Sequence, residues 1–422
     1  MTHIPRFARG PMRSGFLLGA VLTTITACDL KVTNPSVIDA GQFNPTSDGT
    51  LISLSAQTQW YKAFQSVTRY GGLFAGEQRS GAARTEVTDI GRRNIFTGNQ
   101  DINVGFFAPL SGAITGNLNV IDALGSATGA SSDINIARAQ MNLAFALELM
   151  AETFCQGVIR AGPALTPAQL LDSAITHYTA AIAVASAATG AEAVKIVTAS
   201  RIGLSRAYLQ KGDNGNAATA AAAVLVPANV GFTFSVPTVD DAANRALGNQ
   251  IYLTTIPSQL DVVDTNYRLL NDPRVPFKDA GANAQDGVLR DYQQQKYLSY
   301  ASPLRIASYL EAQYVQAEAK LKTGDPSFAL ALIAARRAVG GQPAFSGTAT
   351  ADILTELLSQ SARDFFLEAK KLGDWRRNPT AEPLISPPGA VYKGGLTFGN
   401  LTSIPLPAEE VNTNPNHITA CP

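Results

Sequence analysis

Cysteine, histidine and paired carboxylates carry most side-chain chemistry, and the first two are scarce here. The 422-residue chain has three Cys (Cys28, Cys155, Cys421) and three His (His3, His177, His417). That is too few for a four-Cys zinc site, for a His-rich metal centre, or for a disulfide scaffold over this length. His177 lies within AITHYTAAI, a helical pattern that suits packing or a surface better than ligation. Cys155 has no evident basic group or paired His to lower its thiol pKa, so it does not read as a nucleophile. A glycosidase needs two carboxylates about 5–10 Å apart across a cleft. No motif places such a pair among the 33 Asp and Glu residues. HExxH, GxSxG, P-loop and Rossmann glycine patterns are missing. The chemistry points to recognition without catalysis, with no cofactor and no metal.

The elements that must position such a recognition surface begin with a leader. Arg6, Arg9 and Arg13 precede an uncharged run, Gly15 to Ala27, which is too short to span a bilayer. With Ile25-Thr26-Ala27-Cys28 after it, the pattern resembles a bacterial lipobox, in which cleavage precedes a Cys that is then lipidated. Residues 1–27 are therefore expected to be a signal peptide, Cys28 the lipidation site, and 28–50 an extended tether. Removing 27 residues with three Arg and no acids leaves 395 residues with a formal charge of −3. The chain as written has 33 basic and 33 acidic residues, so nucleic acid is not an expected partner. Cys155 and Cys421 are left outside the cytoplasm, where a bridge between them is favoured; two separate thiols are the alternative.

Helical spacing is clearest over 134–155, 167–188, 192–210, 214–225, 303–322, 326–339 and 350–372, with looser patterns over 51–66 and 106–124. Thr166-Pro167 reads as an N-cap followed by proline at the first helical position. Lys211-Gly212-Asp213 with Ala217, and Lys322-Thr323-Gly324-Asp325 with Ala329, repeat one junction: Gly to end a helix, Asp to cap the next, and a small residue for close packing. This is the logic of tetratricopeptide helix pairs, without a regular 34-residue period. Loop-rich insertions are expected at about 67–105, 227–302 and 376–422 within a single domain, 51–422. The middle one is too long to be structureless and should hold short helices and hairpins.

Several segments resemble the SusD/RagB family of surface lipoproteins that capture nutrients for TonB-dependent transporters. Arg363-Asp364-Phe365-Phe366-Leu367-Glu368, then Leu372-Gly373-Asp374-Trp375-Arg376-Arg377, is similar to that family's RxxEFxxEGxRxxDLRR element. Asn271-Asp272-Pro273-Arg274 matches its NDPR. Ile404-Pro405-Leu406-Pro407 and Asn414-Pro415-Asn416 are similar to its C-terminal ending. Leu304-Arg305-Ile306 through Tyr314-Val315-Gln316-Ala317-Glu318-Ala319 resembles its RlaEvyLirAEA helix, with Ser308-Tyr309 at a usually acidic position; elsewhere Asp364 stands for the usual Glu and Ala369 for the usual Gly. The resemblance implies a mostly α fold: a superhelical scaffold of tetratricopeptide-like pairs with an irregular binding face. It also implies an outer-membrane lipoprotein facing the exterior, the periplasmic face remaining open, with a SusC-like transporter as partner.

Sugar rings stack on flat aromatics while Arg, Asn, Gln and Asp bond their hydroxyls. Two segments have that mixture. Residues 68–79 offer Arg69, Tyr70, Phe74, Glu77 and Arg79; residues 290–300 offer Tyr292 and Tyr297. These are the candidate contacts for an oligosaccharide or another oligomeric nutrient. Trp60, Trp375 and the charges of the 363–377 element are assigned to packing. The competing reading is a helix-repeat scaffold lipoprotein that binds only protein.

Overall fold

A computed structural model describes residues 43–419 and Cys421. The expected signal peptide, Cys28 and most of the tether lie outside the described residues. From Asn44 on, the chain forms one compact unit. Helix α1 (Pro45–Phe74) leads through β1 (Gln78–Ser80) and α2 (Thr85–Gly91) to a π-helical turn, Asp101–Phe107, continuous with α3 (Ala108–Leu124). Next come α4 (Ile134–Thr153), α5 (Pro167–Ala187), α6 (Ala191–Gln210) and α7 (Asn214–Ala222), each packed on the next. The middle of the chain holds β2 (Thr233–Val236), α8 (Gln250–Thr255), β3 (Asp261–Val263), α9 (Thr265–Arg268), β4 (Phe277–Asn283) and β5 (Arg290–Gln294). Strand β6 (Leu304–Ser308) enters α10 (Tyr309–Lys322), α11 (Ser327–Val339), α12 (Thr350–Asp364) and α13 (Lys371–Arg377). Strands β7 (Val391–Lys393) and β8 (Leu396–Thr397) and helix α14 (Ala408–Thr413) follow. Among the described residues the strands pair as two-stranded antiparallel ribbons: β1 with β3, β2 with β6, β4 with β5, and β7 with β8. The fold is mostly α, as the periodicity predicts.

The helix-pair logic is visible atom by atom. Thr166 Oγ1 accepts from the Gln169 N–H while Gln169 bonds back, a reciprocal cap that satisfies two otherwise orphaned donors. Gly212 and Gly324 take left-handed φ values of 78° and 97°. Asp213 caps α7 through Asn216, and α10 packs on both α7 and α11. Asp325, two positions before α11 begins, accepts from the Ser327 N–H, and Pro326 takes the N-cap position. Ala217 and Ala329 are fully buried, so the paired helices approach closely there. The main core lies between α1, α3 and α4. Trp60 stacks on Phe145 at 6.0 Å, and Phe154 packs on both Phe106 and Phe107. A second cluster joins α10, α11 and α12 around Tyr314, Leu321, Ile333 and Leu357.

Three boundaries differ from the sequence reading. Helix α1 spans thirty residues, taking in both the end of the expected tether and the start of the expected loop at 67. Buried Tyr70, Leu73 and Phe74 hold its last turns against the core, and this outweighs the poor helix propensity of Gly71 and Gly72. The expected helix at 303 opens as a strand, because Leu304, Ile306 and Ala307 are buried against β2; Ser308 then caps α10 through Glu311. The expected helix 350–372 stops at Asp364. Leu367 and Ala369 both sit at φ 57°, a left-handed conformation no α-helix can contain.

Cys155 and Cys421 are bonded, with Cα atoms 6.2 Å apart. Backbone bonds Cys155 N–H to Ile404 O and Ile404 N–H to Thr153 O lie beside the bridge. Asn414 and Asn416 donate their amides to the carbonyls of Gly162 and Ala161. The tail is therefore clasped to the body at several points.

Candidate functional site

The residues expected to stack and bond a ligand mostly turn inward. Tyr70 is 6% exposed, stacks on Phe106 at 5.6 Å and donates to Asp101; burial pushes its hydroxyl pKa up to about 12. Phe74 is buried against Trp375. Arg69 forms a two-pronged pair with Asp261 at 2.7 and 3.2 Å, which ties α1 to β3. Arg79 donates to Asp264 at 2.5 Å and to the Tyr392 carbonyl at 2.6 Å. These four brace α1 and β1 against the core and the insertions: α1 runs past its expected end and carries Tyr70 and Phe74 into the core, while Arg69 and Arg79 are held by Asp261 and Asp264.

Glu77 and Tyr297 meet, but over backbone. Glu77 accepts the Leu367 N–H at 2.9 Å, and Tyr297 donates to the Leu367 carbonyl at 3.1 Å. Both are buried. Desolvation raises the Glu77 carboxyl to about 7, against the lowering effect of the Leu367 N–H, Lys371 and Lys296. Tyr292 is half-buried; the Arg268 guanidinium lies 3.7 Å from its ring centroid and Phe277 meets it edge-on at 6.0 Å. Of the seven expected contacts, Arg69, Arg79 and Tyr292 are half-buried and the other four buried, and one face of the Tyr292 ring is already taken by Arg268.

An open cleft lies elsewhere. The β1–α2 connection, the tip of the β4–β5 hairpin and the β7–β8 hairpin enclose about 370 Å³. Arg84 comes from the first, with Thr85, Asp89 and Arg92 from α2 and its C-terminal end; Asp286 and Val288 come from the second, Lys393 and Leu396 from the third. Gly394 and Gly395 form the two-residue turn between β7 and β8 at φ 52° and 85°, which twists the ribbon as a tight hairpin requires. Lys393 Nζ locks the three parts together. It donates to Ser80 O at 2.7 Å, Ala82 O at 3.2 Å and Asp286 Oδ2 at 2.9 Å. Arg92 bonds Asp89 at 2.7 Å, while the Arg84 side chain pairs with Asp101 and remains 60% exposed. Val288 is also exposed beside it. Such a cleft can bond hydroxyls from fixed charged groups and meet an apolar ring face at its edge. The sequence reading placed its contacts before and after these residues. The available signal was the Arg84/Thr88/Arg92 spacing along one face of a short helix.

No protein-family model matches the sequence, and no curated protein matches it. Solved structures do. A SusD superfamily protein from Parabacteroides distasonis superposes with a TM-score of 0.68 at 13% identity, over 90% of this chain and 99% of that one. A SusD superfamily protein from Bacteroides vulgatus gives 0.67 at 16%, over 90% and 99%. The fold is SusD-like. A further neighbour, a SusD-like carbohydrate binding protein from Bacteroides vulgatus, gives 0.62 at 15% over 80% of this chain and 84% of that one.

On this SusD-like frame the motif residues are structural. In the 271–274 element, Asn271 adopts φ 46° and Asp272 holds Arg274 through Nε and Nη2, each at 2.8 Å. Arg377 and Lys322 converge on Glu318, whose carboxyl they pull down to about 2 against desolvation. Arg376 donates to the Ala151 and Phe154 carbonyls at the end of α4.

Proposed function

We propose that this chain is a non-catalytic, lipid-anchored nutrient-binding protein of the cell surface. It holds an oligosaccharide or another oligomeric nutrient and passes it to a SusC-like, TonB-dependent transporter. The anchor is Cys28, and the outward face of the outer membrane is where such a ligand is met. The observation that carries the reading is the cleft roofed by three insertions on a SusD-like helical frame, with Arg84, Asp89 and Arg92 as hydrogen-bonding groups and Val288 and Leu396 at its edge. The likeness to a carbohydrate binding protein supports sugar as the first class to test.

The test is calorimetry of purified protein against a panel of neutral glycans, with Arg84→Ala and Arg92→Ala as variants. At least one glycan binds the parent protein, and each variant weakens it about tenfold with an unchanged melting temperature. The reading fails if no neutral glycan or peptide binds; if transporter pull-down persists in that case, the protein-only scaffold replaces it.

A further inference from the structure

A second cleft, of about 580 Å³, opens at the other end of the β4–β5 hairpin, where Pro276 and Lys296 flank the strands. It shares no lining residue with the first. With about 3.3 Å of rise per residue, the hairpin sets the two clefts about 20 Å apart. Four cations line the second cleft, Arg274, Lys296, Arg305 and Arg336, against two carboxylates, Asp364 and Glu368. The surplus is two positive charges. Asp272 and Arg363, which pair with each other behind Arg274, leave that surplus unchanged.

The two carboxylates are already fully used. Asp364 accepts from Arg274, from both Arg336 Nε and Nη2, and from the Tyr314 hydroxyl. Glu368 accepts from Lys296 and from Arg305 Nε. Arg305 Nη2 is spent on the Asp364 carbonyl at 2.9 Å. Among the described residues, neither Arg305 Nη1 nor Arg336 Nη1 has a hydrogen-bond acceptor. Each guanidinium is thus held in place by its own carboxylate, and each keeps one unused edge. Both side chains are about a quarter exposed, at 26% and 21%. Fixed guanidinium donors in a cleft with surplus positive charge match a planar oxyanion, because charge-assisted N–H···O bonds are stronger than neutral ones and the fork is already oriented.

We propose that this cleft binds the carboxylate of a ligand, with Arg305 and Arg336 as the recognition pair. Two sources share that chemistry: a uronic acid in an acidic oligosaccharide and the free C-terminus of a peptide. The site is separate from the neutral-glycan cleft and does not depend on it.

Calorimetry on the purified protein separates the possibilities with four probes: an oligogalacturonate, its methyl ester, a tripeptide with a free C-terminus, and its amide. One acid probe binds at least tenfold more tightly than its neutral counterpart, and which one it is names the source. Binding weakens as salt rises. Arg305→Lys and Arg336→Lys keep the charge that holds Glu368 and Asp364 but lose the fork; each lowers the affinity about tenfold in protein that remains folded, and the lost bonds to the Asp364 carbonyl and carboxylate lower its melting temperature. The proposal is overturned if acid and neutral probes bind alike, if neither acid binds, or if both folded variants bind as the parent does. Should a variant fail to fold, the acid-against-neutral comparison in the parent protein decides alone.

Discussion

Glu77→Gln should stabilise the protein at alkaline pH and leave it nearly unchanged in acid. The Glu77 carboxyl is buried, accepts one N–H from Leu367, and has no partner for Oε2 among the described residues. Its pKa rises from 4.5 to about 7 on folding, chiefly through desolvation. Between those values the folded chain holds a proton that the unfolded chain has released, so stability falls as pH rises. The neutral carboxyl's contribution is fully present below 4.5 and lost once the pH passes 7. At about 1.4 kcal/mol per pH unit, the gap amounts to about 3 kcal/mol. Glutamine keeps the acceptor for Leu367 and removes the charge. Urea unfolding of both proteins at pH 4.5 and 8.5 gives the readout. The variant's advantage should grow by about 3 kcal/mol across that interval, whatever its starting offset, because other titrating groups are common to both proteins. An advantage that stays constant with pH would refute a carboxyl held neutral by burial.

Cys155→Ser should cost about 2–5 kcal/mol, since the bridge closes a loop with a sequence separation of 266. Reductant should lower the urea midpoint of the parent and leave that of a Cys155→Ser/Cys421→Ser protein unmoved; two free thiols in the unreduced parent would sink the assignment. Asp364→Ala should cost about 3–5 kcal/mol by leaving Arg274, Arg336 and Tyr314 without their shared acceptor. Asp364→Glu, which keeps a carboxylate for the same donors, should lose less than half as much in the same assay.

What could be read in the sequence was local. The Thr166 cap, the Gly212 and Gly324 junctions and the buried Ala217 and Ala329 depend on neighbours within a few residues, and the structure has them where the spacing places them. Trp60 and Trp375 are both in the core. The binding face was not legible, for a physical reason. Whether Tyr70 faces in or out depends on how far α1 runs and on Phe106, thirty-six positions away. Arg69 and Arg79 look like free donors until Asp261 and Asp264 are brought across from β3 and its end. The cleft residues Arg84, Asp286 and Lys393 come from three separate insertions, and no one-dimensional pattern joins them.

The same distance effect explains why one short segment of the SusD-like element holds so many charges. Between α12 and α13 the chain makes a non-helical turn with Leu367 and Ala369 in left-handed backbone, which costs energy for residues with a Cβ. Such a turn persists only if its surroundings over-determine it. Its carbonyls at Asp364, Phe366, Leu367 and Ala369 accept from Arg305, Lys296, Tyr297 and Arg206, and its Leu367 N–H is taken by Glu77. Those donors come from β6, the segment after β5, and α6, and the acceptor from the connection between α1 and β1. The turn therefore joins the helix pairs to the insertions. Buried ion pairs are weak evidence for net stability, because desolvation offsets their attraction. Their use here is to make one arrangement of distant segments the only one that satisfies the turn. On that argument, neutralising Glu368 should loosen the position of β6 and of Lys296 before it unfolds the helix pairs. Amide exchange would show this as faster opening at 296–306, with α5 and α6 unchanged; uniform opening across the chain would contradict it.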